Sequence, residues 1–172
     1  MIAYAVAAPV GAATFRGFTS VSLDELLGRS QVVSLHTPLT DSTRGMIGVV
    51  ELARMRTDAI LVNTSRGGVV DGDALVAALR TGQILGAAID VHESEPLPAG
   101  HPLTMFDSVV LTPHLAWYTE ESYDELKRRT VANVLEVCAH RAPRNIVNPE
   151  VLGAPGRNSG CARAITTAVT GA

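Results

Sequence analysis

The sequence has few cysteines and no excess of positive charge. Among 172 residues only Cys138 and Cys161 carry thiols, and the formal net charge at pH 7 is −3. Two cysteines form no disulfide framework, so the composition favours a reducing compartment, and we expect a cytoplasmic protein. A domain that binds nucleic acid usually shows a basic patch, which this charge balance does not supply. Nucleic acid is therefore not an expected partner.

The sequence also lacks a long apolar run. The most apolar candidate, positions 1–15, is shorter than the roughly 18 residues that a membrane span requires, and Pro9 and Gly11 interrupt it. A secretory signal places positive charge before its apolar segment, whereas the first basic residue here is Arg16. We therefore expect a buried strand and its loop in this segment, and no membrane partner.

The residues that are present have the composition and periodicity of an α/β protein. At 172 residues the chain has room for about one domain, and its 47% hydrophobic content is that of a globular protein. Short apolar runs predict strands at Met1–Val6, Gln31–Leu35, Ile60–Val62, Ile84–Val91 and Val109–Thr112. Segments at helical spacing lie between them. This alternation predicts β-α-β units and a parallel sheet.

The helices are predicted from their capping residues and apolar faces. We expect one helix that begins at Ser22, a second over Met46–Met55, a third over Gly72–Arg80 with Asp71 before it, and a last one that begins at Thr119. Ser22 followed by Glu25 has the capping-box pattern, and Asp71 and Thr119 are preferred N-cap residues. The last helix has apolar positions at helical spacing, which we expect in the core: Tyr123, Leu126, Val131, Val134, Leu135 and Cys138.

Three predicted strands run into polar residues that could take part in a reaction. Ile60–Val62 leads to Arg66, Ile84–Ile89 leads to Asp90 and Glu95, and Val109–Leu111 leads to His114. In a parallel sheet, ligands bind outside the carboxyl ends of the strands. The sequence therefore predicts an active site at that edge, which contains an arginine, two carboxylates and a histidine.

Three motifs around these residues resemble one enzyme family. LVNTSRGGVVD, AAIDVHESEP and LTPHLAW are similar to the NAD-binding domain of the D-isomer-specific 2-hydroxyacid dehydrogenases. DVHESEP and PHLAWYTEES most resemble the C-terminal-binding-protein branch of that family. The resemblance implies a Rossmann-like, doubly wound parallel sheet and a dinucleotide-binding domain over residues 1–150. We expect residues 151–172 to be a poorly ordered tail.

Part of the family pattern is missing. A dinucleotide site uses a Gly-rich turn whose backbone N–H groups hold the pyrophosphate, and no G-x-G-x-x-G occurs in this sequence. In the family, the segment similar to Ile2–Tyr4 follows that turn and ends in an acid that binds ribose, but Ala5 stands there. We therefore expect a partial domain, truncated before its first βα unit. A fragment, a split gene and a degraded gene remain open alternatives.

The resemblance implies a role for each polar residue. His114 would exchange the hydroxyl proton of a 2-hydroxy acid, because an imidazole can accept and return a proton near neutral pH. Glu95 would orient His114 and stabilise its charged form. Arg66 would bind the substrate carboxylate with its planar fork.

The resemblance also implies NAD as the cofactor and a small 2-hydroxy acid as the substrate. The residues implied to contact the cofactor are Thr37, Pro38, Thr64, Arg66, Asp90 and His114. Trp117 would form a wall of the substrate pocket.

The sequence leaves other functions open or disfavours them. A non-catalytic module that dimerises or acts as a corepressor is the alternative to the enzyme, and a homodimer is compatible with either function. The acidic and histidine residues at positions 92–101 lack the H-E-x-x-H spacing of a zinc helix, so no metal site is expected. Ser65 lacks the G-x-S-x-G context of a hydrolase nucleophile.

Overall fold

The computed structural model describes residues 2–4, 18–139 and 141–149. The chain divides into two compact units, one that ends at Ala116 and one that begins at Trp117. Among the described residues, the strands are β1 (Ile2–Ala3), β2 (Thr19–Ser20), β3 (Val32–Leu35), β4 (Ile60–Asn63), β5 (Gly86–Ile89) and β6 (Val109–Leu111). The α-helices are α1 (Leu23–Arg29), α2 (Val49–Arg54), α3 (Gly72–Arg80) and α4 (Glu120–Cys138). None of these helices is both long enough and apolar enough to cross a membrane.

The first unit contains a four-stranded parallel sheet in the order β3-β4-β5-β6. Leu61 pairs with Val33 on one side and with Ala87 on the other. β1 and β2 form a separate two-stranded parallel sheet. The predicted parallel α/β class is therefore confirmed. Because the four strands run in one direction, their carboxyl ends meet at a single edge of the sheet.

Helix α3 shows how the predicted local signals build the core. The Asp71 side chain accepts a hydrogen bond from the Ala74 N–H at 3.0 Å and caps the helix. Leu75 and Leu79 are buried on the face that the apolar spacing predicted. Gly82 follows the helix with φ +68°, a conformation that glycine adopts without a steric cost. The prediction of a helix over Gly72–Arg80 is confirmed.

Two helices differ from the prediction in their details. Helix α2 begins at Val49 rather than Met46, because Ile47 forms an isolated parallel bridge with Val70 and is held in an extended conformation. At the start of α1, the Ser22 hydroxyl accepts from the Glu25 N–H at 3.2 Å, as predicted. The Glu25 carboxylate instead pairs with Arg29, so only half of the predicted capping box forms.

The predicted core positions of α4 are wrong. Thr119 caps this helix as expected, since its hydroxyl accepts from the Ser122 N–H at 3.1 Å. No residue of α4 is buried within the described part of the chain, and Leu126 is 52% exposed. Tyr123, Val131, Val134, Leu135 and Cys138 are exposed as well. Helical spacing identifies residues that share a face, but it does not say whether another element covers that face.

Strand β3 is buried on one face only. Val33 and Leu35 are buried, but Val32 is 60% exposed. Successive side chains of a strand point to opposite faces of the sheet, so the exposed Val32 and Ser34 share the face opposite to Val33 and Leu35. Of the first predicted strand, Ile2 and Ala3 form β1, while Val6 and the predicted tail at 151–172 lie outside the described residues.

Candidate active site

The loop that carries Arg66 is shaped by the residue at the end of β4. Asn63 is buried, with 1% of its surface exposed. Its side-chain oxygen accepts hydrogen bonds from the Ser65 N–H at 3.0 Å and the Ser65 hydroxyl at 2.9 Å. Its side-chain nitrogen donates to the Arg66 carbonyl at 3.0 Å. The chain therefore turns sharply after β4, and Arg66 lies just outside the carboxyl end of that strand.

Glycine at position 67 brings this loop against the loop that follows β5. A Cβ atom at Gly67 would lie 2.1 Å from the His92 carbonyl carbon and 2.4 Å from the Glu93 nitrogen. Both contacts are with backbone atoms, which cannot move aside as a flexible side chain can. Only glycine allows the two backbones to approach this closely. The loop of Arg66 and the loop of Glu95 are therefore held side by side.

Asp90, the residue after β5, organises the loop that contains His114. Asp90 is buried, and its carboxylate accepts from the Thr112 hydroxyl at 2.5 Å, the Leu115 N–H at 2.7 Å and the Ala116 N–H at 2.9 Å. Burial alone would raise the pKa of Asp90, but these hydrogen bonds outweigh it and lower the pKa. Asp90 is thus a charged acceptor around which residues 112–116 fold.

His114 has a backbone conformation that few residues other than glycine adopt. Its φ is 58°, in the left-handed region, where a residue with a Cβ atom costs roughly 1 kcal/mol. The His114 N–H donates to the Asp90 carbonyl at 2.8 Å, and the Asp90 carboxylate holds the two residues that follow. These hydrogen bonds impose the conformation. Backbone strain of this kind concentrates at functional sites.

The His114 side chain pairs with Glu95. The distance between His114 Nδ1 and Glu95 Oε2 is 2.9 Å, and the His92 N–H donates to Glu95 Oε1 at 3.0 Å. The hydrogen bond from His114, followed by that from His92, lowers the pKa of Glu95. Because a carboxylate only accepts hydrogen bonds, Nδ1 of His114 carries the donated proton. The side chains of His114 and Glu95 are 42% and 39% exposed, so solvent and small ligands can reach the pair.

Arg66, Glu95 and His114 line one open cleft of about 580 Å³. A cleft of this size is within the range of small-molecule sites. The Arg66 guanidinium makes one hydrogen bond within the described residues, to the Ser65 carbonyl at 2.6 Å, so most of its donors can contact a ligand. The cleft therefore combines a planar cation for a carboxylate with an imidazole that a carboxylate orients.

Of the residues predicted to contact the cofactor, Arg66 and His114 line this cleft, whereas Thr37, Pro38, Thr64 and Asp90 are not among its described lining residues. Thr64 is exposed in the loop after β4, and the Pro38 carbonyl accepts from the Thr43 hydroxyl at 2.6 Å. The Thr37 hydroxyl oxygen is buried and has no hydrogen-bond partner among the described residues. A buried hydroxyl without a partner is costly, so a polar group of a ligand would be stabilised there. Thr37 follows β3 at the carboxyl edge of the sheet, and its contact with a cofactor remains a prediction.

The structure leaves two predicted roles undecided. Asp90 uses its carboxylate to hold the chain, as described above, and its contact with a cofactor remains a prediction. Trp117 belongs to the second unit, where its ring lies 5.5 Å from that of Tyr118 in an edge-on arrangement. Its place in the wall of a substrate pocket remains a prediction as well.

Two residues of the site were not predicted from the sequence. Asn63 supports the Arg66 loop from within the core, and Arg44 lines the cleft together with Arg66. A polar residue directly after an apolar strand was the available signal for Asn63. No sequence signal brings Arg44 to the cleft, because it reaches Gly68 only through the folding of the loop after β3.

The hydrogen bonds of Glu95 predict a pH-dependent stability. The pKa of Glu95 is lowered in the folded protein. Its carboxylate therefore stabilises the fold at pH values above those at which carboxyl groups usually titrate. This contribution to stability is lost as the pH falls through the lowered pKa. We expect Glu95→Gln to flatten the decline of the free energy of unfolding between about pH 7 and about pH 3. Urea denaturation at several pH values measures this decline.

Glu93→Gln is the matched control for that measurement. Glu93 is exposed in the same loop and makes no hydrogen bond or ion pair with another described residue. This variant should keep the pH dependence of the wild-type protein. If Glu95→Gln keeps it too, the ion pair makes no net contribution to stability.

Comparison with known proteins places these residues in a family. Residues 1–116 match the sequence model of the D-isomer specific 2-hydroxyacid dehydrogenase, NAD binding domain. A glyoxylate reductase from Aeropyrum pernix is 49% identical over 131 residues, which are 76% of this chain and 39% of that protein. A glyoxylate reductase from Thermofilum pendens is 48% identical over 76% of this chain and 38% of its own length. The chain thus spans about 40% of the length of these relatives.

Solved structures agree with this assignment. A protein from Thermus thermophilus superposes with a TM-score of 0.78 at 40% identity, over 85% of this chain and 45% of that protein. The NAD complexed form of a D-isomer specific 2-hydroxyacid dehydrogenase from Lactobacillus delbrueckii superposes with a TM-score of 0.72 at 36% identity, over 86% of this chain and 48% of that protein. The chain therefore belongs to the D-isomer-specific 2-hydroxyacid dehydrogenase family and carries the sequence of its NAD-binding domain.

Proposed function

We propose that this protein is an NAD-dependent oxidoreductase that interconverts 2-hydroxy acids and 2-oxo acids. The observation that carries the proposal is the cleft in which Arg66 lies with the His114–Glu95 pair. The same three residue types are those that the family resemblance assigns to catalysis. Each residue can be given a role from its own contacts.

His114 is proposed to move the proton of the substrate hydroxyl. Its Nδ1 donates to Glu95, so Nε2 is the nitrogen that would accept the hydroxyl proton during oxidation and return it during reduction. Glu95 keeps this tautomer in place and stabilises the imidazolium that forms. The hydrogen bond from the His92 N–H fixes the other oxygen of Glu95 and thus the direction of the ring.

Arg66 is proposed to bind the substrate carboxylate. The five donors of a guanidinium match the two oxygens of a carboxylate in a fixed plane. Binding there would place the adjacent carbon, which carries the hydroxyl or oxo group, within the same cleft as His114. The residue thereby selects 2-substituted acids and orients the carbon that reacts.

The nicotinamide end of the cofactor is proposed to lie beside Thr37, Pro38, Thr64 and Asp90. Bound NAD supplies the carbon that accepts the hydride from a hydroxy acid and, when reduced, returns it to an oxo acid. The Thr37 hydroxyl would donate to the nicotinamide part and gain the partner that it lacks among the described residues. The sequence contains no G-x-G-x-x-G motif of the kind that holds the pyrophosphate in a dinucleotide site.

The relatives suggest the substrates. Proteins 40% to 49% identical to this chain are named glyoxylate reductase and glyoxylate/hydroxypyruvate reductase B. We therefore propose glyoxylate and hydroxypyruvate as first substrates to examine. A cytoplasmic location, a homodimer, the C-terminal-binding-protein branch and a dinucleotide-binding domain that extends to residue 150 stay predictions of the sequence.

The proposal is tested by calorimetric titration of the purified chain with NADH, followed by assays with glyoxylate and hydroxypyruvate. We expect a dissociation constant below about 1 mM and oxidation of NADH that depends on the 2-oxo acid. Titration with NADPH in parallel reports the choice of cofactor. A chain that is folded by circular dichroism but neither binds NADH nor reduces either acid would refute the enzyme function and favour a non-catalytic module.

A further inference from the structure

Within the described part of the chain, the side-chain hydrogen bonds of Asn63 all go to the loop that presents Arg66. Its oxygen accepts twice from Ser65, and its nitrogen donates to the Arg66 carbonyl. We propose that Asn63 is the positioning residue for Arg66 and thereby sets the affinity of the cleft for the carboxylate of a 2-oxo acid. The inference rests on the proposed function and adds to it a residue that does not touch the substrate.

The burial of Asn63 supports a positioning role. The side chain is 1% exposed, at a point where its strand neighbours Leu61 and Ile89 are buried and apolar. Burying a carboxamide costs free energy unless it is hydrogen-bonded, and an apolar residue would fill the same volume without that cost. The three hydrogen bonds offset the cost, and each of them ends on residue 65 or 66. The structure thus uses a polar core residue to hold one turn of the chain.

The main chain of Asn63 also links the two halves of the site. Its carbonyl accepts a hydrogen bond from the Asp90 N–H at 3.0 Å. Asp90 in turn holds the loop of His114 through its carboxylate and its carbonyl. The Arg66 turn and the His114 turn therefore start from two hydrogen-bonded residues at the ends of adjacent strands. A change in the Asn63 turn would move the carboxylate site relative to the imidazole.

Two variants test the proposal. In Asn63→Asp, an oxygen replaces the nitrogen that donates to the Arg66 carbonyl, so a hydrogen bond becomes a repulsion between two acceptors. Asn63→Ser is neutral and too short to reach that carbonyl, and it avoids a buried charge. Ser65→Ala is the matched control, because it removes one hydroxyl from the same turn and keeps the bond to Arg66.

The binding measurement uses oxalate in the presence of NADH, with oxalate as a stand-in for the carboxylate and oxo groups of the substrate. Both Asn63 variants should weaken oxalate binding by about 10- to 100-fold, because small displacements of a binding group have effects of this size. Ser65→Ala should change it by less than about threefold. In an Arg66→Gln background, Asn63→Asp should add no further loss, since residues that act as one unit are not additive.

A second readout does not depend on a ligand. The NMR signal of the Arg66 Nε–H group should move in both Asn63 variants and stay in place in Ser65→Ala. If the wild-type chain binds neither NADH nor oxalate, the proposed function fails, and this signal alone decides the role of Asn63. Folded Asn63 variants with an unmoved Arg66 signal would overturn the proposal, as would wild-type oxalate affinity or additive losses in the Arg66→Gln background. Unfolding of both variants would also overturn it, because Asn63 would then serve the core as a whole.

Discussion

Replacement of His114 by glutamine should lower the rate of NADH-dependent reduction of a 2-oxo acid by about 100- to 10,000-fold. Glutamine can still donate a hydrogen bond to Glu95, so the loop should keep its shape. It cannot exchange a proton near neutral pH, and the proton-transfer step loses its catalyst. Steady-state assays with glyoxylate or hydroxypyruvate measure the effect as a fall in kcat.

The control for this variant is His36→Gln, the same change in an exposed histidine after β3. His36 contacts the Ser34 hydroxyl at 2.9 Å and does not line the cleft. Its replacement should leave kcat within about twofold of wild type, as expected of a surface change away from the site. If His114→Gln retains most of the wild-type kcat, another group transfers the proton and the assigned role of His114 is wrong.

Replacement of Asp90 by alanine should lower the free energy of unfolding by about 3 kcal/mol. The variant removes the acceptor for the Thr112 hydroxyl and for the N–H groups of Leu115 and Ala116. Without these three hydrogen bonds, the segment 112–116 would lose part of the support for the left-handed conformation of His114. We therefore expect a loss of activity together with the loss of stability, measured by urea denaturation and by the same assay.

The pH dependence distinguishes the charge of Asp90 from its packing. The pKa of Asp90 is lowered in the folded protein, so its contribution is present above the usual carboxyl range and is lost as the pH falls through the lowered value. The difference in the free energy of unfolding between wild type and Asp90→Ala should therefore become smaller at acid pH. Asp73→Ala, an exposed change on α3, should cost less than about 0.5 kcal/mol. If the difference in the free energy of unfolding between wild type and Asp90→Ala does not change with pH, the charge of Asp90 contributes nothing to stability.

The family and the grouping of three candidate residues at one edge of the sheet could be predicted from the sequence because their signals are local. Each catalytic candidate lies in the polar segment that follows a short apolar run, and parallel strands bring their carboxyl ends to one edge whatever the details of packing. That rule placed Arg66, Glu95 and His114 together, and the structure brings all three to one cleft. The caps at Asp71 and Thr119 were predicted for the same reason, since a capping bond spans three residues.

The predictions that failed concern contacts between residues distant in sequence. The apolar face of α4 was expected in the core, but its exposure depends on what covers the helix and not on its own spacing. Helix α2 starts late because Ile47 pairs with Val70, a partner 23 positions further along the chain.

The sequence by itself determined the α/β class, the order of the elements, the family and the residue types of the site. Only the tertiary structure decided how these residues are held. Asp90 stabilises the turn at His114 because its carboxylate accepts hydrogen bonds from Thr112 and from the two residues after His114. Asn63 came to support Arg66 because it is buried where β4 ends. Periodicity and motifs predict the secondary structure of each segment by itself. The direction of a side chain depends in addition on hydrogen bonds that exist only after the strands have assembled.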